Sequence, residues 1–126
     1  MTDFLSVTDV LRLHADQVDV YGGQCGVRDM GLLESAVAQP QTAFGGEHLH
    51  RDIFEMAAAY LFHIVQNHPF LDGNKRAGVV TALVFLDLNG VEINAPKGSI
   101  YDLTMSVASG QADKPRIAAF FRSHAH

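Results

Sequence analysis

Apolar residues recur at the three- and four-residue spacing of amphipathic helices over most of the chain. Side chains that favour helix starts precede several of these segments, and glycine or proline follows most of them. The pattern therefore predicts about six helices. The predicted caps are Ser6 or Thr8, Asp29, Asp52 and Ser99, and the helices cover approximately residues 7–20, 31–38, 53–67, 74–88, 100–108 and 115–123.

The third and fourth predicted helices carry apolar residues on nearly every face, which is typical of helices at the centre of a domain. We expect residues 53–67 and 74–88 to pack against each other, with the connecting loop between them. Residues Gln41–His50 lack helical spacing, and Gly45-Gly46 favours a hairpin turn there. Val91–Asn94 is predicted to be extended. The predicted fold class is a compact all-α domain with one small, exposed β-hairpin flap.

The composition narrows the class of protein. At 126 residues and 48% hydrophobic content, the chain fits one domain over residues 1–126. A net charge of −5, with scattered basic residues, argues against direct nucleic-acid binding. The lone Cys25 excludes an internal disulfide and suits a reducing compartment. No apolar run approaches the ~20 residues of a bilayer helix, and no signal-peptide pattern is seen, so we expect a cytoplasmic protein without membrane contact.

The most informative segment is His68–Gly78, which reads HPFLDGNKRAG. Pro69 disfavours helical geometry at the preceding residue, so the third helix must stop there. A new helix can begin near Asn74, and its unpaired backbone N–H groups would face an anion. Lys75 and Arg76 add two cations at the same place. The segment therefore predicts a phosphate site with an imidazole beside it.

This segment resembles the signature of the Fic/Doc family, H-P-F-x-[D/E]-G-N-G-R-x-x-R. Two positions depart from it, because Lys75 replaces the second glycine and Val79 replaces the second arginine. Both departures resemble the Doc ("death on curing") branch of bacterial and phage toxins. Tyr21-Gly22-Gly23, Gly26–Asp29 and the total length extend the similarity over essentially the whole chain. The resemblance implies a small all-α Fic fold.

The resemblance also implies an activity, the transfer of a nucleotide-derived group to a protein hydroxyl. In the Doc branch this group is the terminal phosphate of ATP, used with Mg²⁺, and the acceptor is a threonine of translation elongation factor Tu, so protein synthesis stops. In most Fic enzymes the group is AMP, which is the alternative for this chain. A third reading is a non-catalytic module that binds a nucleotide or a peptide, although such a module has no need of a base.

Two residues of the segment carry the predicted chemistry. His68 is the expected general base, because an imidazole titrates near neutral pH and can take the proton of an attacking hydroxyl. Asp72 is the expected Mg²⁺ ligand, because Mg²⁺ on ATP commonly takes one or two carboxylates. A structural alternative for Asp72 is that it caps the following helix.

The next four residues are expected to bind the phosphates. Gly73 would let the backbone approach a phosphate closely, or it relaxes a tight turn. Asn74 offers an amide donor or a helix cap, and the sequence leaves both open. Lys75 and Arg76 would neutralise charge on the transferred phosphoryl group. The alternative is a solvated first turn, but cations at a helix N-terminus oppose its dipole, so an anion is expected there.

Two further predictions concern protein partners. The flap is expected either to align a target peptide by strand addition, as the family's flap does, or to be a plain surface hairpin. The in-chain inhibitory helix of many Fic proteins reads [S/T]-x-x-x-E-[G/N], and no glutamate of this chain precedes Gly or Asn. The resemblance to Doc systems then implies control by a separate antitoxin, whose disordered tail folds into a groove on the toxin. The flap residues are Gln41, Thr42, Ala43, Phe44, Gly45 and Gly46.

Overall fold

A computed structural model describes residues 1–126, in which six α-helices carry the fold. The prediction of an all-α domain with one β-hairpin is confirmed. No helix has both the length and the apolar character that crossing a membrane requires. The helices are α1 (Val7–Tyr21), α2 (Met30–Ala38), α3 (Ile53–Asn67), α4 (Asn74–Leu88), α5 (Ser99–Ala108) and α6 (Lys114–Ser123), with a 3₁₀ turn at Gln39–Gln41 and strands β1 (Ala43–Phe44) and β2 (Glu47–His48).

The helix starts follow local capping chemistry. Ser6 accepts a hydrogen bond from the N–H of Asp9, and the Asp9 carboxylate accepts one from the N–H of Ser6, which makes a capping box. The predicted caps Asp29 and Asp52 are likewise confirmed. The prediction that Ser99 caps α5 is wrong, because Gly98 holds the N-cap position and the Ser99 hydroxyl donates to the carbonyl of Pro96 at 2.6 Å. Helix α6 begins at Lys114, one residue before its predicted start at Pro115, because Asp113 caps it.

Helix α3 lies at the centre and contacts α2, α4, α5 and α6. Its side chains from Met56 to Leu61 are buried, in agreement with its all-round apolar pattern. The predicted packing of α3 on α4 is confirmed, and a glycine makes it close. A Cβ at Gly78 would lie 2.9 Å from Cγ2 of Val65 and 3.3 Å from the carbonyl oxygen of Leu61. The small residue therefore allows the two helix backbones to approach.

Helix α4 is buried on one side only, so the prediction of a helix buried on all faces is wrong for this element. Phe85 and Leu86 are fully buried. Val79, Val80 and Leu83 are half-buried and line an open cleft between α4 and α5. Apolar content alone could not distinguish a core-facing side from a cleft-facing side.

The predicted hairpin of the flap forms, although Gln41, the first residue of the predicted flap, lies in the 3₁₀ turn. Ala43 pairs with His48 and Phe44 pairs with Glu47, in antiparallel register around Gly45-Gly46. Both glycines have positive φ, 59° and 85°, as a two-residue hairpin turn requires. The hairpin is exposed, and Phe44 is 69% exposed.

The segment Val91–Asn94, which the sequence predicts to be extended, lies between α4 and α5. It makes one isolated β-bridge, from Ile93 to Ala125 near the C-terminus.

A polar cluster lies where the flap leads into α3 and α6 begins. The ammonium of Lys114 is 3.4 Å from Nε2 of His50 and 3.2 Å from Nε2 of His63. Burial, and then the nearby ammonium, lower the pKa of both histidines, and the pKa of His63 falls from 6.5 to about 4. Both rings are therefore neutral in the folded protein at neutral pH.

We expect the free energy of unfolding to decrease as the pH falls from 6.5 towards 4. Unfolded His63 takes up a proton near pH 6.5, whereas folded His63 resists protonation down to about pH 4, so acid favours the unfolded state. Because the ring is partly exposed, we expect a loss of about 1–2 kcal/mol. Urea denaturation at pH 7.5 and pH 5 measures it. His63→Gln is the control and should show a smaller pH dependence; equal dependence in both proteins would contradict the assignment.

Candidate active site

The segment His68–Gly78, here called the motif loop, connects α3 to α4 and includes the first turn of α4. Helix α3 ends at Asn67 and α4 begins at Asn74, as the sequence predicts. His68 is the C-cap of α3 and adopts a left-handed backbone conformation, with φ 51° and ψ 52°. Pro69 and Phe70 are buried, and the Phe70 side chain anchors the loop in the core. Gly73, with φ 76°, is the N-cap of α4. The chain therefore reverses between two helix ends that both point to one cleft.

This cleft has a volume of about 1030 Å³ and contains every motif-loop residue that the sequence analysis selected. The flap residues do not line it. One end is polar and the other is apolar, formed by side chains of α4 and α5. The polar end contains His68, Asp72, Gly73, Asn74, Lys75, Arg76, Gln17, Tyr21, Gly22 and Gly23, and the apolar wall includes Val79, Val80, Leu83, Ile100, Tyr101 and Met105.

The Asp72 carboxylate is exposed and held by backbone donors. Oδ2 accepts the N–H of Gln24 at 3.2 Å, and Oδ1 accepts the N–H of Gly73 at 2.8 Å. These two hydrogen bonds lower the pKa of Asp72 below its usual value, so the group is charged. Gly23 has a positive φ of 111°, and a Cβ there would lie 2.7 Å from Oδ2, so a side chain at this position would displace the carboxylate. The alternative in which Asp72 caps α4 is wrong, because Gly73 occupies the N-cap position.

The N-terminus of α4 is open to the cleft. No side chain caps it, so the first backbone N–H groups of the helix are available to an anion. Lys75 and Arg76 are exposed at this end, and the Arg76 guanidinium lies 5.0 Å from the centroid of the Tyr21 ring. The ring holds the guanidinium at the cleft while its donors stay free. The arrangement concentrates positive charge about the helix start.

Asn74 has a different position from the one its sequence context suggested. Its side chain is only 5% exposed, and its amide bonds both backbone groups of Phe70, with Oδ1 accepting at 2.9 Å and Nδ2 donating at 3.1 Å. The amide closes the loop and does not cap α4. Asn74 therefore presents its backbone N–H, and not its amide, to an anion in the cleft.

Comparison with known proteins agrees with this geometry. The model of the Fic/DOC family matches residues 4–86, which is more than half of the chain. The chain belongs to the Fic/Doc family. It is 39% identical over 121 residues to Toxin Doc of Mycolicibacterium smegmatis, covering 94% of this chain and 91% of that protein. It is also 33% identical over 119 residues to Protein kinase doc of Escherichia phage P1, covering 94% of this chain and 92% of that protein.

Two features that support the motif loop of this Fic/Doc protein were not recognised in the sequence. The first is His14 of α1, which is 2% exposed and stacks on Phe70 with ring centroids 3.7 Å apart. Its Nε2 atom lies 2.7 Å from the carbonyl oxygen of Asp72. In the sequence, His14 occupies an apolar-face position of α1, a position equally typical of an ordinary core histidine.

The second feature is the connector before α2, which pairs with the motif loop. Val27 bridges to Phe70, and the N–H of Leu71 donates to the carbonyl of Gly26 at 3.0 Å. The N–H groups of Arg28 and Asp29 both donate to the carbonyl of Pro69, at 2.7 and 3.0 Å. The only signal of this pairing in the sequence was the family similarity of residues 26–29.

Proposed function

We propose that this protein is a Doc-like toxin that transfers the terminal phosphate of ATP to a threonine hydroxyl of another protein. The proposed acceptor is elongation factor Tu, whose modification would block translation in the cytoplasm. The observation that carries the proposal is the convergence in one cleft of the His68 imidazole, the charged Asp72 carboxylate and the uncapped N-terminus of α4. A relative over most of the chain is named a protein kinase.

His68 is the proposed general base. Its exposed imidazole would take the proton of the threonine hydroxyl as the hydroxyl oxygen attacks the terminal phosphorus. The new bond joins that oxygen to phosphorus, the bond from phosphorus to the bridging oxygen of ATP breaks, and ADP leaves. In this reaction the proton ends on His68 and the phosphoryl group on the target.

Asp72 fits the role of a magnesium ligand. Its carboxylate is charged and exposed at the cleft, and each oxygen accepts one backbone N–H, so a lone pair on each oxygen is left for a hard cation. Mg²⁺ bound with ATP supplies charge neutralisation and orientation of the phosphates. The two backbone donors hold the carboxylate in one position, which favours a single geometry for the bound nucleotide.

The positive groups at the start of α4 are proposed to hold the phosphates. Lys75 and Arg76 provide side-chain donors, and the first residues of α4, from Asn74 to Arg76, provide backbone N–H groups aimed along the helix axis, while Gly73 leaves room for a phosphate to approach. Negative charge spreads over the oxygens of the transferred phosphoryl group in the transition state. Donors fixed in advance stabilise that charge without reorganisation.

The choice of terminal phosphate over AMP rests on two positions. Val79 stands where AMP-transferring relatives have an arginine, and it forms part of the cleft wall one turn from Lys75. No cation is therefore available at this point to hold outer phosphates away from the base. Lys75 instead adds a cation to the lining of the cleft that contains His68. Both differences favour ATP bound with its terminal phosphate towards His68.

The label that reaches the target distinguishes the two transfers. ATP labelled at the α- or γ-phosphate is incubated with the protein, Mg²⁺ and purified elongation factor Tu. We expect only the γ-label on the factor, with a mass increase of about 80 Da. Transfer of AMP would instead increase the mass by about 329 Da. The α-label with the heavier adduct would establish AMP transfer. Nucleotide binding without any transfer, to this factor or to a bacterial lysate, would establish a binding module.

A separate antitoxin is the proposed regulator. The apolar wall of the cleft runs from the reacting end along α4 and α5, and it leaves large apolar side chains exposed, 66% for Tyr101 and 40% for Met105. An amphipathic tail folding along this wall would cover them and would end beside His68 and the α4 N-terminus. Binding there would exclude ATP and target together.

The flap is proposed to hold the target protein. Within residues Gln41–Gly46, strand β1 pairs on one side only, with β2, so its other edge has no strand beside it, and the aromatic ring of Phe44 is exposed. Such an edge can add a strand from a partner. Because the flap does not line the cleft, it would contact the target outside the nucleotide site.

A further inference from the structure

The proposed base has an unusual backbone. His68 is the only non-glycine residue of the chain with positive φ. The left-handed conformation is sterically unfavourable for a residue with a Cβ, so it persists only where neighbouring groups impose it. The hydrogen bonds that fix His68 are made by its backbone, and its own N–H donates to the carbonyl of Ile64 at 3.2 Å. No hydrogen bond from a protein group orients the imidazole, so its direction follows the backbone.

Arg28 donates hydrogen bonds to the backbone carbonyl groups on both sides of His68 and to that of His68 itself. Its Nε donates to the carbonyl of His68 at 2.7 Å, and its Nη2 donates to the carbonyl of Asn67 at 3.0 Å. The backbone N–H of the same residue donates to the carbonyl of Pro69 at 2.7 Å. One residue therefore holds three successive carbonyl groups, across the turn at which the chain leaves α3.

The charge and shape of Arg28 suit this place. Carbonyl groups at a helix C-terminus lack helical partners and carry a partial negative charge, which a cation stabilises. The planar guanidinium donates from two nitrogen atoms in fixed relative directions, so it fixes the orientation of two peptide planes together. A lysine ammonium is a point donor and cannot impose the same relation.

We propose that Arg28 is a positioning residue that holds His68 in its left-handed conformation and so directs the imidazole into the cleft. The kinetic part of this inference rests on the proposed function; the conformational part does not. Arg28 is exposed and stands outside the apolar core, so its effect on His68 is separable from core packing.

The test compares Arg28→Ala and Arg28→Lys with Arg116→Ala. Arg116 is an exposed arginine of α6 whose side chain makes none of these hydrogen bonds. The first measurement is the NMR chemical shifts of His68. His68→Ala, which lacks the histidine signals, confirms their assignment. In Arg28→Ala we expect the backbone carbon shifts of His68 to leave their left-handed values, with changes confined to the connector and the motif loop. Arg28→Lys should be intermediate and Arg116→Ala unchanged.

The second measurement is γ-phosphate transfer from ATP to elongation factor Tu. We expect kcat to fall about 10- to 100-fold in Arg28→Ala, with the KM for ATP within about twofold, because a displaced base slows the chemical step and leaves nucleotide binding intact. Arg28→Lys should recover part of the rate.

The inference would be overturned if the backbone carbon chemical shifts of His68 stayed unchanged in folded Arg28→Ala, whether or not kcat fell. If Arg28→Ala does not fold, Arg28→Lys decides by the same two readings. Failure of the proposed function has a different signature, because transfer would then be absent in the wild type or retained in His68→Ala. The NMR measurement decides the position of His68 in either case.

Discussion

His68→Ala is expected to lower the rate of phosphate transfer from ATP about 100- to 10,000-fold while the protein remains folded. The imidazole is exposed and takes no part in the apolar core, so its removal should leave the melting temperature nearly unchanged. What disappears is the group that accepts the hydroxyl proton. Transfer of γ-label to elongation factor Tu measures the loss, and growth of bacteria that express each variant shows whether toxicity falls with it.

A second variant separates chemistry from conformation. His68→Asn keeps a residue that tolerates the left-handed conformation but lacks the imidazole base. We expect it to be as inactive as His68→Ala, with the motif loop unchanged. Near-normal transfer by either folded variant would exclude His68 as the base. The family assignment would stand, because it rests on the match over the chain.

Asp72→Asn is expected to lower transfer about 100-fold at ordinary Mg²⁺ concentrations, because a neutral amide is a much poorer magnesium ligand than a carboxylate. Asparagine keeps one oxygen that can accept the N–H of Gly73 or Gln24, so the loop should stay close to its present geometry. The apparent KM for Mg·ATP should rise, and a higher Mg²⁺ concentration should restore part of the rate. Steady-state transfer over a Mg²⁺ series measures both effects.

Asp87→Asn is the matched control, since Asp87 is an exposed carboxylate of α4 outside the cleft. It makes the same change of charge at the far end of the helix, so it should leave transfer and its Mg²⁺ dependence unchanged. Equal Mg²⁺ dependence in the wild type and in Asp72→Asn would contradict the ligand role. A similar loss in Asp87→Asn would show that overall charge, and not the site, governs the rate.

The helix bounds could be predicted because they depend on neighbours in sequence. Ser6, Asp29 and Asp52 each accept an N–H three residues later, so the signal and its effect lie within one turn. Ser99 failed as a cap because its hydroxyl had a competing local acceptor, the carbonyl of Pro96. Which of two local hydrogen bonds forms depends on the backbone that tertiary packing imposes.

The sequence by itself determined the order of the helices, the break at Pro69 and the hairpin turn at Gly45-Gly46, because each depends on residues that are close together in the chain. It also determined the family, which rests on similarity over most of the chain. Only the tertiary structure decided which side of α4 lines the cleft, where the Asn74 amide points, and that His14 and Arg28 support the motif loop. The two supporting residues lie 58 and 40 positions from their partners in the loop. Such contacts form only when packing brings α1 and the connector to the loop, and no local pattern of residues encodes that meeting.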